Sequence, residues 1–247
     1  DIDLSGFDIL VSTDPEKFLT HSHKFEKRII TNPPFCREIL ERFKNINKEY
    51  DVTFIGGISP DHYTRCETIA YLLNNGINVS CFGYLRERNI FSYKSILRDV
   101  LKFRFKSSKE KFLSRFKTRY DSNLDIIKQV HNGPVFGMKM YELLAKSYTT
   151  LNIHIDAEGT HAGNMRMFEA TGSGTCLITN SSPLNSSIFK SHKEYLSFKT
   201  KEDLLKLLKS IDFKSKKIAD ISKAGQKRTL DNNSIENMYD NIGEIFT

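Results

Sequence analysis

Short runs of apolar and β-branched residues alternate with segments of helical periodicity along most of the chain. Such runs predict buried strands, and strands separated by helices indicate βαβ crossovers. The sequence therefore predicts an α/β fold with a parallel sheet covered by helices on both faces. The predicted strands are Phe7–Thr13, Lys27–Asn32, Asp51–Gly57, Ile77–Gly83, Thr149–His154, Thr175–Asn180 and Glu194–Phe198.

Start and stop residues delimit several of the predicted helices. Ser59 is the expected N-cap of a helix with Pro60 in its first position and Gly76 at its end. A shorter helix is expected to begin at Asp14 and Pro15. Three more helices are predicted near the C-terminus, over Lys201–Ile211, Lys214–Thr229 and Ser234–Phe246.

The segment Arg86–Tyr120 interrupts this alternation with twelve lysines and arginines against three acids. Its apolar residues recur at helical spacing, which predicts a basic amphipathic helical insertion. One interpretation is a helix pair with a simply solvated charged face. Another is contact with an anionic membrane surface through residues 86–120. Nucleic acid is the least favoured partner, because no known nucleic-acid-binding signature accompanies the charge.

Amino-acid composition indicates the general class of protein but does not identify its binding partner. A formal net charge of +7 favours anionic partners in general. The four cysteines lack paired C-x-x-C spacing, which favours reduced thiols in a cytoplasmic protein over a disulfide or zinc role. No apolar run reaches the length of a membrane span. We therefore expect a cytoplasmic protein, or one that lies peripherally on the inner face of the membrane.

The residues after the predicted strands should converge, because parallel strands present their carboxyl ends at one edge of the sheet. They include the turn Gly56-Gly57, Gly83 with Tyr84 and Arg86, the pair Asn152 and His154, and the run 180–182. Glycine turns let a backbone approach phosphate closely, and Ser59 opens a helix whose amides carry partial positive charge. This set predicts a nucleoside diphosphate site.

The stretch GNMRMFEATGSGTCLITN, residues 163–180, reads as a helix, a glycine break and a buried strand. Arg166 there can meet phosphate, and Glu169 can accept both hydroxyl groups of a ribose. The alternative makes the apolar residues the packed face and leaves Arg166 and Glu169 as an exposed i, i+3 ion pair. Spacing alone leaves both interpretations open.

The run LNIHIDAEGTHAGNMRMFEATGSGTCLITN resembles the donor-nucleotide segment of GT-B glycosyltransferases, in particular the group-1 family with the spore-maturation type. That pattern has a strand ending Leu-Asn-x-His, a loop, Arg-x-Phe-Glu-Ala-x-x-x-Gly and a strand ending Thr-Asn or Thr-Asp. DVTFIGGISPDHYTRCETIAYLLNNGINVSCFGY resembles the first strand, glycine turn, helix and second strand of the same domain. The likeness covers Asp51–Phe198 without the insertion.

The resemblance implies a Rossmann-like donor-binding half of a GT-B enzyme that transfers a sugar from a nucleotide-diphosphate sugar to a glycan, lipid-linked or protein acceptor. It implies no cofactor and no metal, since a helix N-terminus and basic residues would neutralise the diphosphate. Glu169 would hold the ribose, and Val135 with Phe136 would border the base. The other implied donor-binding residues are Gly56, Gly57, Arg65, Asn152, His154, Gly163, Asn164 and Arg166.

The candidate catalytic residues are His161, Glu158 and Arg166. Retaining relatives often place a glutamate eight positions before the ribose glutamate, whereas this chain has His161 there and Glu158 three residues earlier. This departure leaves the donor-sugar contact and the stereochemical outcome open.

The resemblance also implies a division of the chain. Residues 1–50 would be the end of an acceptor domain and its linker, residues 51–230 the nucleotide-sugar domain with its insertion over 86–130, and residues 231–247 a C-terminal helix. An acceptor domain would then be absent or supplied by another polypeptide. The rival from another class is a non-catalytic module that binds a nucleotide or a polyanion at the same edge.

Overall fold

The computed structural model describes residues 8–12, 25, 27–87, 119–154 and 165–243. The predicted helix that begins at Asp14 lies outside the described residues, as does most of the basic segment. None of the helices in the described part of the chain has the length and apolar character that a membrane crossing requires.

Two parallel sheets organise the described residues. Strands β1 and β2 form a two-stranded sheet, and the other five strands form a second sheet in the order β4-β3-β5-β6-β7 with every pairing parallel. The predicted α/β fold with a parallel sheet is therefore confirmed. The strands are β1 (Ile9–Ser12), β2 (Lys27–Ile30), β3 (Tyr50–Ile55), β4 (Ser80–Phe82), β5 (Ser147–Asn152), β6 (Cys176–Asn180) and β7 (Leu196–Phe198).

Helices cover both faces of the five-stranded sheet. One apolar cluster joins the sheet to α2, α3 and α7, and a second joins its other face to α4 and α5. The helices are α1 (Glu38–Phe43), α2 (Tyr63–Asn74), α3 (Arg119–Lys128), α4 (Gly137–Ala145), α5 (Met165–Gly172), α6 (Pro183–Ile188), α7 (Lys201–Ser210), α8 (Lys216–Asn232) and α9 (Ile235–Gly243).

Strand β5 lies in the middle of the sheet although its sequence, SYTTLN, is largely polar. Its threonines are fully buried, and their hydroxyl groups are satisfied by neighbouring strands. Thr149 Oγ1 donates to the carbonyl of Asp51 at 2.7 Å, and Thr150 Oγ1 donates to that of Thr53 at 3.3 Å. Because each buried hydroxyl has a partner, the polar strand avoids the desolvation penalty of an unpaired group.

The predicted helix from Ser59 begins differently in the structure. Residues 60–62 form a turn of 3₁₀ helix, and the α-helix starts only at Tyr63. Ser59 precedes the 3₁₀ turn, and its side chain makes no capping hydrogen bond. The C-terminal prediction is confirmed, because Gly76 follows the helix with φ +81° in the left-handed region that favours glycine. Helices α1, α4 and α6 were not predicted.

Contacts between Phe35 and the C-terminal part of the chain explain why a glycine occupies position 172. Phe35, which is 1% exposed, donates its backbone N–H to Asn233 O at 2.7 Å, and its carbonyl accepts from Ile235 at 3.2 Å. Its ring packs so closely on Gly172 that any side chain there would overlap it. Gly172 is therefore needed for packing between α5 and the segment before α1.

Helix α7 begins with a complete capping box. Thr200 Oγ1 accepts from the N–H of Asp203 at 3.1 Å, and the Asp203 carboxylate accepts from the N–H of Thr200 at 3.2 Å. Thr200→Ala is expected to lower the free energy of unfolding by about 1 kcal/mol, because the first turn loses its side-chain acceptor. Urea unfolding measures this effect, with Thr200→Ser as the control that keeps the hydroxyl. An alanine variant as stable as the parent would contradict the assigned cap.

Candidate functional site

The loops after β3 and β4 are joined to each other at the carboxyl edge of the sheet. Gly56 donates its N–H to Phe82 O at 2.8 Å, and Ile58 donates to Tyr84 O at 2.8 Å. Gly83 has φ +139°, and a Cβ atom there would overlap the carbonyl oxygen of Gly56. A Cβ on Gly57, by contrast, would meet open space. Backbone groups at this turn are thus fixed in place with room beside Gly57.

Arg65, which was predicted to face a diphosphate, ties two of these strand ends together. Its Nε donates to Ile153 O at 2.8 Å, and its Nη1 donates to Gly57 O at 3.0 Å. The guanidinium also lies 5.7 Å from the centre of the Phe54 ring. Arg65 therefore holds the glycine turn after β3 against the end of β5, while its contact with phosphate stays a prediction.

The ends of β5 and β6 share a hydrogen-bond network centred on the buried hydroxyl of Thr179. That hydroxyl donates to Asn152 O at 2.8 Å and lies 3.2 Å from both Asn152 Nδ2 and His154 Nε2. Asn152 Nδ2 donates to this hydroxyl, which also lies within hydrogen-bond distance of the His154 ring. His154 also donates its backbone N–H to Asn180 Oδ1 at 3.2 Å. The predicted residues Asn152 and His154 therefore lie together at the carboxyl edge.

Arg166 and Glu169 form an ion pair in α5, with 2.8 Å between Nη1 and Oε2. Their side chains are only 20% and 13% exposed, so the alternative of an exposed pair describes the spacing correctly but not the environment. Arg166 Nη1 also lies 2.7 Å from the sulfur of Met140 in α4. Burial raises the pKa of Glu169, and Arg166 opposes that rise. A mostly buried carboxylate is thus held in one orientation in the middle of α5.

An exposed aromatic pair borders the same edge. The rings of Tyr84, after β4, and Phe136, before α4, have centroids 5.5 Å apart at an interplanar angle of 42°. Both side chains are at least 60% exposed. Residues 131–133, shortly before Phe136, are held to the turn after β4, because His131 Nε2 lies 2.7 Å from Gly83 O and Gly83 donates to Gly133 O at 3.0 Å. Two aromatic faces are thereby offered to a planar ligand.

Not every predicted site residue can be placed. Glu158, His161, Gly163 and Asn164 lie outside the described residues. Val135 is half-buried against the cluster beneath α4, next to the exposed Phe136. Among the predicted residues that can be placed, Arg65 contacts Gly57, Asn152 and His154 contact one hydroxyl group, and Arg166 contacts Glu169.

A family model described as glycosyl transferase-like matches residues 75–244. This match covers more than half of the 247 residues. The chain belongs to the glycosyl transferase-like family. Comparison with curated proteins found no significant match.

Solved GT-B structures share the fold of this glycosyl transferase-like chain. HepE of Anabaena in complex with UDP and glucose matches 98% of this chain and 64% of its own with a TM-score of 0.64 and 10% identity. Sucrose-phosphate synthase of Thermosynechococcus elongatus matches 98% and 58% with a TM-score of 0.60 and 10% identity. AviGT4, involved in avilamycin A biosynthesis, matches 96% and 64% with a TM-score of 0.56 and 14% identity. The glycosyl transferase-like chain thus spans less than two thirds of the length of each.

Several residues that build this site were given no role from the sequence. Thr179 sits inside a strand, where its buried hydroxyl is indistinguishable by spacing from a packing residue. Tyr84 was noted only as a strand-end residue, and its partner Phe136 lies 52 positions away in the sequence. No sequence motif around His131 indicated a role for it. Only the strand-end rule could have found Tyr84, because aromatic residues that follow a parallel strand reach the ligand edge.

Proposed function

We propose that this chain is the nucleotide-sugar-binding half of a glycosyltransferase. Family membership and the GT-B fold support this function, and the observation that carries it is the oriented, mostly buried carboxylate of Glu169 in α5. A carboxylate in that position suits the paired hydroxyl groups of a ribose. UDP is the first nucleotide to test, because HepE is described in complex with it.

The other strand-end groups supply complementary contacts in this proposal. The exposed faces of Tyr84 and Phe136 accept the planar base, and the open side of Gly57 leaves room for the diphosphate beside backbone amides. Helices α4 and α5 both begin at this edge, because each runs back towards the start of the next strand. Their N-terminal amides favour negative charge.

In this proposal Arg166 acts on the ligand indirectly, by positioning the carboxylate of Glu169. Its guanidinium already pairs with the carboxylate at 2.8 Å and with Met140, so it orients the ribose acceptor and keeps it ionised. The sequence interpretation assigned Arg166 to the diphosphate. The two roles predict different effects of losing Arg166. An arginine that orients Glu169 affects the affinities for the nucleoside and the diphosphate equally, whereas one that contacts phosphate affects mainly the diphosphate.

The reaction requires the bond between the anomeric carbon and the diphosphate oxygen to break, and its electron pair leaves with the nucleoside diphosphate. An acceptor oxygen bonds to the anomeric carbon and loses its proton. The acceptor is a glycan, lipid-linked or protein hydroxyl. Glu158 and His161 are the proposed groups near the donor sugar, and membership of the spore-maturation-type group is part of the same proposal.

Calorimetric titration of nucleoside diphosphates and their sugars tests the proposal. One diphosphate is expected to bind, and the bare nucleoside to bind more weakly because it lacks the charged group. Affinity should stay nearly unchanged in EDTA, since helix N-termini and basic residues neutralise the diphosphate. Binding that EDTA abolishes and manganese restores would contradict the metal-free proposal, and binding of no nucleotide would contradict the site.

A non-catalytic module would bind the same nucleotide without turnover. Slow hydrolysis of the bound donor, measured by release of the nucleoside diphosphate, distinguishes the two functions because binding alone breaks no bond. The proposed cytoplasmic location at a membrane surface depends on the basic segment 86–120, of which residues 88–118 lie outside the described residues. That contact stays a prediction.

A further inference from the structure

A cavity of about 430 Å³ lies at the edge of the sheet opposite the candidate nucleotide site. Its lining includes Lys48, which precedes β3, and Gly174, which precedes β6. Both residues mark the amino ends of strands, whereas the glycine turn after β3 lies at the carboxyl edge. Six residues of β5 span the sheet, so the two edges are separated by roughly 20 Å. The cavity is therefore a separate site.

One wall of the cavity is apolar. Ile39, Leu40 and Phe43 of α1 contribute to it together with Ile46. These side chains are only half-buried, and α1 has no fully buried residue. Their apolar surface would be covered by a bound alkyl chain, which gives a favourable transfer free energy.

The lining also carries a partly buried cation. Lys48 Nζ donates to Ser147 O at 2.8 Å and to Gly174 O at 2.9 Å. An ammonium group has three donors, and within the described residues no carboxylate forms an ion pair with Lys48. Burial lowers the pKa of Lys48 to about 8. An anion would relieve the cost of holding this charge away from water.

Other charged groups lie at the rim. Lys223 of α8 is exposed, and Lys44 is exposed and lies 3.7 Å from Glu41. The cavity therefore combines one partly buried ammonium, two exposed lysines of which Lys44 pairs with Glu41, and an apolar wall. The charges suit a single negative headgroup better than a dianionic one, because a second negative charge would lie against apolar carbon.

We infer that this cavity binds a single-chain alkyl carboxylate, with the headgroup on Lys48 and the chain against Ile39, Leu40 and Phe43. Its volume is on the order of a dozen water molecules at about 30 Å³ each, which accommodates a medium-length chain. The site does not depend on nucleotide binding, so its test is independent of the proposed glycosyl transfer.

Decanoate is the probe, and calorimetry on the full chain is the measurement, with decanol and decyltrimethylammonium as neutral and cationic ligands of the same chain. Decanoate is expected to bind, and both other ligands to bind at least about ten-fold more weakly, since only the carboxylate pairs with the ammonium. Lys48→Met should reduce decanoate affinity by about ten-fold or more, while Lys48→Arg retains part of it.

If Lys48→Met does not fold, substitutions at Ala219 and Lys223 still test the site. Ala219→Phe on α8 fills the cavity from an exposed position, so it should abolish binding without removing charge. Lys223→Gln should weaken binding modestly. Lys217→Gln is its matched control, because it removes the same charge from the same helix outside the cavity.

Four results would overturn the inference. Equal affinity for decanol and decanoate would remove the role of the ammonium, and equal losses in the Lys217 and Lys223 variants would indicate only general surface charge. Competition between decanoate and a bound nucleoside diphosphate would place the ligand at the carboxyl edge instead. Failure of decanoate to bind at all would also refute the site.

Discussion

Glu169→Ala is expected to weaken binding of a nucleoside diphosphate by about 1–3 kcal/mol, the cost of losing charge-assisted hydrogen bonds. The carboxylate is 13% exposed and held 2.8 Å from Arg166, so its orientation towards a ribose is fixed before the ligand arrives. The measurement is calorimetric titration with the ribonucleotide and its 2′,3′-dideoxy analogue. The parent should discriminate between them, and the variant should not.

The same change is also expected to lower stability, because it leaves Arg166 largely buried without its carboxylate. An exposed ion pair, the alternative that the sequence left open, would instead make the change nearly neutral for stability. Glu142→Ala removes a half-exposed carboxylate from α4 and serves as the control for a general loss of charge. If the Glu169 variant is folded and binds every nucleotide as well as the parent, the ribose assignment is wrong.

The pH dependence of binding follows from the same environment. Burial raises the pKa of Glu169 above its ordinary value, although Arg166 limits the rise. Ribose binding needs the ionised carboxylate, so affinity should fall as pH drops through this raised pKa. Arg166→Met should shift that loss to higher pH, since the opposing positive charge is gone.

Arg166→Met also separates the two roles proposed for this arginine. If Arg166 orients Glu169, its loss should weaken nucleoside and diphosphate by similar factors, and it should add little in a Glu169→Gln background. A much larger loss for the diphosphate than for the nucleoside would instead restore the direct phosphate contact.

Gly83→Ala is expected to lower the free energy of unfolding by about 2–4 kcal/mol. Its φ of +139° is unfavourable for a residue with a side chain, and the added Cβ would overlap Gly56 O. Relieving the overlap would separate the loops after β3 and β4, so nucleotide affinity should fall as well. Urea unfolding and calorimetry measure the two effects.

Gly57→Ala is the matched control, because a Cβ at this neighbouring position meets open space. Its stability should stay close to that of the parent. If a diphosphate approaches this turn, the methyl group should still weaken nucleotide binding. A stable Gly83→Ala variant with normal affinity would show that the two loops can separate without consequence.

The sheet could be predicted because its strands are apolar or β-branched and are bounded by glycine. Errors occurred where tertiary contacts set the boundary. Strand β5 begins at Ser147 rather than Thr149 because Ser147 pairs with Tyr50, and residues so far apart give no local signal. Helix α4 was missed because the MKMYELLA segment follows a glycine-rich loop and has no N-cap side chain that bonds its first turn.

The candidate site was predictable as a set of strand ends but not as a network. The sequence indicated that Asn152 and His154 face the ligand edge. It gave no sign that Thr179 connects them, because that hydroxyl belongs to the next strand. Arg166 and Glu169 were correctly identified as neighbours, but their burial depends on α4, which supplies Met140.

The pairing of Phe35 with residues 233 and 235 has a consequence for how the protein matures on the ribosome. The Asn32 side chain bonds the side chain of Asn233 across 201 positions at 2.9 Å, so this connection can form only after residues 233–235 have been synthesised. At about 5–20 residues per second this interval lasts roughly 10–40 seconds. Until then the backbone groups of Phe35 lack these two partners, so docking of the segment before α1 is a late step in the folding of the described residues.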